Sequence, residues 1–368
     1  MKVETLKKIL HKCFEKKKSI ILIGDYGIGK SRIVYEFAKE KAKELNKELV
    51  IWHELNEHEK MRLINSNLDN YFILVDIKLQ SIGDPSKIMG IPIIINGEHE
   101  QKIVWEPPLF IKVLCKENAY GILFLDEINM ALPSLQSLCF EIFLQRKIGE
   151  WKLSDNVLVC GAGNSLDVNV AANPIPKPLL NRVLLIKDIE IDVDEWINWA
   201  FKNDIDNRII AFVKCFRELK KDSDEELEQS TRPRSYEILS DMIKNEEDIE
   251  LIEAFAYALL EKSTASKFVA FVKNLQKFVN YKKYIENYDE FEKLSLEEKY
   301  ALITVIAKNI KEIEDEKIVE FITDLVNDIT ELGALLLNFI KREDTKKFDE
   351  IFEKLDESVI NRLFDLII

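Results

Sequence analysis

The stretch Ser19 to Ser31, SIILIGDYGIGKS, limits what this chain can fold into more than any other. It opens with a β-branched apolar run, Ile20-Ile21-Leu22-Ile23, which reads as a fully buried strand. Gly24-Asp25-Tyr26-Gly27-Ile28-Gly29-Lys30-Ser31 then completes a G-x-x-x-x-G-K-S phosphate loop, and Arg32 to Leu45 has the composition of a helix. Three glycines allow a tight turn in which successive N–H groups point inward at a triphosphate. The start of the following helix adds partial positive charge at the same place. In such a loop Lys30 reaches the β- and γ-phosphates and the Ser31 hydroxyl holds Mg²⁺. The residues from Gly24 through Arg32, including Asp25, Tyr26 and Ile28, are therefore the candidate nucleotide-binding set. Within it Tyr26 and Ile28 are expected to pack and Asp25 to be exposed.

Composition narrows the surroundings. The chain has 368 residues, room for two or three domains, and 47% are apolar, enough for a large core. The formal net charge of −14 excludes a diffuse positive field for nucleic acid. Cys13, Cys115, Cys139, Cys160 and Cys215 are scattered and form no C-x-x-C, which argues against a disulfide framework or zinc site and for a reducing cytoplasm. No hydrophobic run reaches the length of a membrane span.

Further strands are expected at Glu48–Leu55, Tyr71–Ile77, Gly121–Leu125, Asn156–Cys160 and Val183–Ile186, with a helix over Pro133–Gln145. An amphipathic helix (Leu6, Ile9, Leu10, Cys13, Phe14) precedes the first strand and ends in three solvated lysines. Strands alternating with helices around a phosphate loop imply an α/β fold, a parallel sheet covered on both faces. Residues 79–108 carry Gly83-Asp84-Pro85, Gly90, Pro92, Asn96-Gly97 and Pro107-Pro108, the punctuation of an insert made of turns or a short hairpin. From about Asp192 glycine nearly vanishes, Gly333 being the only one after Gly163. Helical stripes follow: Phe268, Phe271, Val272, Leu275, Phe278 and Val279 on one face, and Ile318, Phe321, Ile322, Leu325 and Ile329 on another. The expected division is 1–190 for the nucleotide-binding domain, 191–262 for a helical lid and 263–368 for a helical extension. Residues 222–228 read as an exposed helix or loop.

Phosphoryl transfer to water needs a phosphate cradle, a metal, an activated water, a group that senses the γ-phosphate, and positive charge on the transition state. Gly121 to Glu127, GILFLDE, is an apolar strand tipped by two acids, costly at a strand end unless they meet a cation. Asp126 suits the Mg²⁺ shell and Glu127 the attacking water. Val157 to Asn164, VLVCGAGN, puts an amide at another strand end, where Asn164 can bond both γ-phosphate and water.

As a set these residues resemble an AAA+ ATPase, more narrowly the MoxR-like group: Gly24–Ser31 as Walker A, Asp126-Glu127 within LFLDEIN as Walker B, Asn164 within GAGN as sensor 1. Pro178-Leu179-Leu180-Asn181-Arg182 is similar to the arginine-finger stretch, and Arg232-Pro233-Arg234-Ser235 to sensor 2. Residues 83–92 resemble the helix-2 insert. The resemblance implies a three-layer αβα P-loop NTPase domain followed by an all-α lid and extension, ATP and Mg²⁺ as ligands, and a hexameric ring of identical chains. It implies Arg182 acting on a neighbour's γ-phosphate and Arg234 in cis, with Arg232 a rival for that role. It also implies a chaperone or assembly activity on a partner protein, often one with a von Willebrand factor A domain. A DNA-acting motor, a GTP-using restriction subunit of the McrB kind, and a non-hydrolysing ATP-dependent scaffold are the alternatives. No pore-loop aromatic is identifiable, and the resemblance ends near residue 260.

Overall fold

The computed structural model describes residues 1–96, 101–165, 174–187, 189, 192–223, 229–364 and 366–368. The chain divides into two compact units, 1–191 and 192–368.

In the first unit the elements run α1 (Val3–Glu15), β1 (Ile20–Gly24), α2 (Lys30–Glu44), β2 (Glu48–Ile51), α3 (Glu57–Asn65), β3 (Tyr71–Lys78), α4 (Ser86–Met89), β4 (Ile91–Asn96), β5 (Gln101–Glu106) and α5 (Leu109–Leu114). They continue with β6 (Tyr120–Asp126), α6 (Pro133–Gln145), β7 (Lys147–Ile148), β8 (Trp151–Lys152), β9 (Val157–Asn164), α7 (Lys177–Leu180) and β10 (Leu184–Ile186). Six strands form one parallel sheet in the order β10-β1-β9-β6-β3-β2.

Alternate residues of the same strands face opposite layers. Ile20, Leu22, Phe72, Leu74, Ile122, Phe124 and Leu158 pack under α1 and α2, against Leu6, Leu10, Val34 and Phe37. Ile21, Ile73, Val75, Leu123, Leu125 and Val159 pack on the other face, with Leu63, Ile111, Leu135, Ile142 and Phe143 from α3, α5 and α6. Both sets are apolar because parallel strands linked by crossover helices have no solvent face. This is the three-layer αβα architecture around a parallel sheet expected from the sequence.

Three strand expectations are corrected or refined. The expected Glu48–Leu55 strand stops at Ile51 and gives way to a 3₁₀ turn, Trp52–Glu54; as an edge strand paired, among the described residues, with β3 alone, it is half-buried, not buried. The strand expected to end at Cys160 runs on to Asn164. Gly161 and Gly163 continue it because β1 pairs alongside as far as Gly24↔Asn164 and β6 as far as Leu125↔Gly161. A Cβ on Gly161 would stand 2.6 Å from Phe143 Cζ, so here glycine serves close packing and not a turn. The insert does form a hairpin, with Ile91↔Glu106 and Ile94↔Ile103 among its pairs; the Gly97 turn lies outside the described residues.

The second unit is helical: α8 (Val193–Lys202), α9 (Asn207–Phe216), α10 (Pro233–Ile243), α11 (Ile249–Leu259), α12 (Lys262–Leu275), α13 (Lys282–Glu286), α14 (Tyr288–Glu292), α15 (Leu296–Lys308), α16 (Asp315–Asp328), α17 (Thr330–Glu343), α18 (Thr345–Phe352) and α19 (Glu357–Leu363). Every residue of α17 from Leu332 to Ile340 is buried, which makes it a central helix. Phe212 of α9 meets Phe268 and Phe271 of α12 edge-on, at 5.3 and 6.0 Å between ring centroids. The expected stripe through Phe268, Phe271 and Val272 is buried, but Val279 is 86% exposed. The α-helix ends at Leu275, and the 3₁₀ turn Gln276–Phe278 breaks the 3.6-residue phase that would have carried Val279 inward. Most of the 222–228 stretch lies outside the described residues. Among the described residues no helix is long and apolar enough to cross a membrane.

Candidate functional site

β1, β6 and β9 lie together in the sheet, so their C-terminal ends bring the phosphate loop, the Asp126-Glu127 pair and Asn164 to one edge. Ligands of open α/β sheets bind at that edge.

The loop between β1 and α2 turns through Gly27 (φ 70°) and Gly29 (φ 85°), backbone conformations that side chains resist. Gly29 is the N-cap of α2, so Lys30 and Ser31 open the helix. The Lys30 ammonium is buried. It donates to the carbonyls of Gly24 (3.0 Å) and Asp25 (2.6 Å) and to Asn164 Oδ1 (3.1 Å). Burial pulls its pKa down to about 8, opposed by the carboxylates of Asp126, Asp25 and Glu127. The three carboxylates thus keep a cation in a place that desolvation disfavours.

Ser31 Oγ donates to Asp126 Oδ2 at 2.7 Å. The other oxygen of Asp126 accepts the Glu127 N–H at 2.8 Å. Glu127 itself sits at φ 57°, ψ 38°, half-buried, where the chain turns off β6. Asn164 ends β9 beside Gly24, and the Ser165 N–H donates to the Gly24 carbonyl at 3.1 Å. Lys30 is therefore bonded to Asn164 and Ser31 to Asp126, pairs widely separated in sequence, with Glu127 the next residue.

Two expectations inside the loop are corrected. Asp25 is 8% exposed, not exposed, because its Oδ1 folds back to accept the Tyr26 N–H at 2.9 Å. That turn leaves Tyr26 41% exposed where packing was expected. Ile28 is buried, and its Cδ1 lies 2.8 Å from where a Cβ on Gly24 would be, which accounts for glycine there. Arg32 is exposed and lies 3.8 Å from Glu36.

The arginines separate into different environments. Arg182 follows α7 and is exposed. Arg234 belongs to the second unit and is exposed on the first turn of α10. Arg232, its rival, is 2% exposed and donates to the carbonyls of Thr231 (2.9 Å) and Lys221 (3.2 Å) and to Asp222. Arg232 is thereby tied into its own unit as a structural cation.

Sequence reasoning passed over three residues at this edge. Asn129 is 2% exposed and bonds the backbone of Asn164. Tyr35, one turn after Ser31 on α2, donates to Asp76 Oδ2 at 2.9 Å, so α2 meets β6 and β3 through two hydroxyl–carboxylate contacts. Burial raises the Asp76 pKa, and Asp126 adds to the rise; Asp76 Oδ1 is buried with no hydrogen-bond partner among the described residues. The signal for Asp76 is present in the chain: YFILVD, like LFLDE, is an apolar strand tipped by an acid.

No protein-family model matches the chain, and no curated protein matches it. Among solved structures it is similar to NtrX from Brucella abortus in complex with ADP, at 12% identity and TM-score 0.37, over 99% of this chain and 68% of that one. It is also similar to a mutant form of RuvB from Thermotoga maritima, at 13% identity and TM-score 0.29, over 98% of this chain and 87% of that one. Another mutant form of the same RuvB gives 13% identity and TM-score 0.32, over 90% and 86%. Overlaps this low carry no argument about what this chain binds or does.

Proposed function

We propose that the chain is a Mg²⁺-dependent ATPase of the AAA+ type, MoxR-like in kind, that uses ATP hydrolysis to remodel or assemble a partner protein. The Ser31–Asp126 contact carries this reading. It sets a hydroxyl and a carboxylate, both hard oxygen donors, at the mouth of a phosphate loop whose lysine is already desolvated. Ser31 and Asp126 would hold the Mg²⁺, directly or through water. When bound, the metal neutralises charge that develops on the phosphate oxygens. Lys30 binds the phosphates, Glu127 orients and polarises the attacking water, and Asn164 reads the γ-phosphate and positions that water.

Arg182 is exposed, as a residue serving a neighbouring copy in a ring must be. Arg234, with Arg232 occupied elsewhere, is the better candidate to act in cis. The second unit holds 41 of the 66 acidic residues but 26 of the 52 basic ones, which suits a protein partner better than nucleic acid. A partner with a von Willebrand factor A domain fits this reading.

Glu127→Gln tests it. The variant is expected to bind ATP within about twofold of wild type and to lose about 10²- to 10⁴-fold in turnover, measured with ATP and GTP side by side. Persistent turnover would remove Glu127 from its role. A wild-type protein that neither binds nor cleaves a triphosphate would sink the reading as a whole. Affinity capture with the ATP-held variant then tests the partner, with a recovered adhesion-type protein supporting assembly and recovered nucleic acid supporting a motor.

A further inference from the structure

The geometry points to Asn129 as a positioning residue that locks Asn164 and the Glu127 turn into one unit; the inference rests on the hydrolysis proposed above. β6 and β9 pair as neighbours only as far as Leu125↔Gly161. Beyond that rung the chain leaves β6 through Glu127, and the turn is closed by the Met130 N–H donating to the Glu127 carbonyl at 2.9 Å. β9 runs on to Asn164 with β1 on one side and, among the described residues, no strand paired on the other.

The Asn129 side chain fills that missing strand. Its Nδ2 donates to the Asn164 carbonyl at 2.6 Å, and its Oδ1 accepts the Asn164 N–H at 3.0 Å. A primary amide offers a donor and an acceptor at the spacing of a peptide group, so it can stand in for one; an ionised aspartate or an alanine cannot supply both. Asn129 is 2% exposed, so both bonds are made without competition from water. Gly163 leaves the room: a Cβ there would stand 2.8 Å from Asn129 Oδ1 and 2.9 Å from Ile23 Cδ1.

Asn164 is consequently fixed from three directions. Asn129 holds its backbone, Gly24 lies opposite it in β1, and its side-chain oxygen accepts from Lys30. Glu127, two residues from Asn129, shares the same short turn. A shift of about 1 Å in a reacting group costs on the order of 100-fold in rate. The clamp therefore sets the distance between the residue that orients water and the residue that reads the γ-phosphate.

Two variants attack it by different routes. Asn129→Ala removes both bonds; Gly163→Ala keeps the amide but pushes it away. Each is expected to lower kcat about 10- to 100-fold with the dissociation constant for ATP within about twofold. In the double variant the combined loss is expected to be smaller than the product of the two, since both act on one contact. Asn129→Asp keeps the shape but sets a carboxylate oxygen against the Asn164 carbonyl in a buried place, so it is expected to lose at least as much as Asn129→Ala. The clamp is also read without turnover: the Asn164 amide should exchange at least about tenfold faster in Asn129→Ala, by amide hydrogen exchange on the nucleotide-free protein. Unchanged kcat in both single variants, or fully multiplicative losses, would overturn the positioning role. Equal exchange at Asn164 in variant and wild type would overturn the clamp even if the wild-type protein cleaves no triphosphate, an outcome that counts separately against the proposed hydrolysis.

Discussion

The two units are nearly equal in length and opposite in how they handle backbone and charge. Residues 1–191 hold ten of the eleven glycines and nearly equal numbers of acids and bases; residues 192–368 hold one glycine and the whole acidic excess. In the second unit the polar groups that helices leave open are met locally. Asp192, Asp206, Asp248, Glu261, Ser295 and Asp344 each cap the helix that follows, a contact worth about 1 kcal/mol apiece. In the first unit, polar groups at the strand ends are met across the sheet, by Lys30, Ser31, Asn129 and Asn164.

Backbone strain adds to the contrast at a single residue of the first unit. Among the described residues seven non-glycines have positive φ: Lys17, Asn46, Glu127, Arg146, Asp204, Arg217 and Asn245. Six of these lie at or just beyond a helix C-terminus, where the left-handed conformation is an ordinary ending. Glu127 instead follows a strand. Its conformation costs about 1–3 kcal/mol and persists where surrounding structure over-determines it. The bond network around Asp126, Met130 and Asn129 supplies that determination. A sheet edge that concentrates strain and buried polar bonds is a place for chemistry; a capped helical body is a place for stability and surface.

Glycine substitution offers the sharpest way to break this comparison. Gly121→Ala would set a Cβ 2.0 Å from the Ile73 carbonyl in the middle of the sheet. It should destabilise the first unit by about 3 kcal/mol. Gly333→Ala would meet Val326 Cγ2 at 2.5 Å, but alanine in a helix interior returns about 1 kcal/mol. Its net effect should stay within about 1 kcal/mol. Thermal melts with amide exchange assign each loss to its unit; similar losses in both would dissolve the distinction.

A smaller effect concerns pH, and the two units should respond with opposite sign. Asp76 has its pKa raised from 3.8, first by burial, so its ionised form burdens the folded state once pH rises past the unfolded value. Asp76→Asn should therefore raise the melting temperature at pH 7, and the gain should fade as pH falls toward 3.8. Asp194 has its pKa lowered to about 2, first by its bonds to Arg217 and then, against burial, by Lys214. Its stabilisation is present above 3.8 and lost as pH falls through about 2, so Asp194→Asn should lower the melting temperature at pH 7 and match wild type near pH 2. Shifts of the same sign in both variants would refute the assignment of burial to one carboxylate and pairing to the other.

Much of the first unit was legible in the sequence because its signals are local. The run Ile20–Ile23 with its glycine loop, the Pro133–Gln145 helix and the hairpin of the insert each depend on neighbours a few residues away. The misjudged elements failed where neighbours in space decided. The strand expected over Glu48–Leu55 lies at an edge and stops at Ile51, and the strand expected to end at Cys160 is held straight in the sheet as far as Asn164. Val279 followed a helical phase that the chain abandons at Leu275. Within the site, residue types near a phosphate were readable, while Asn129 was not, since nothing in DEIN says which backbone its amide will meet.

The sequence by itself determined that a phosphate loop, an acid-tipped strand and an amide-tipped strand exist, and that a glycine-poor helical part follows them. Those are properties of short segments, set by side-chain size, branching and the glycine backbone. Only the tertiary structure decided that Asn164 lies between Gly24 and Asn129, that Tyr35 donates to Asp76, and that Arg232 is occupied while Arg234 is exposed. Contacts of that kind depend on strand order and register, which bring residues far apart in the chain within hydrogen-bonding distance and leave no trace in the spacing of either partner.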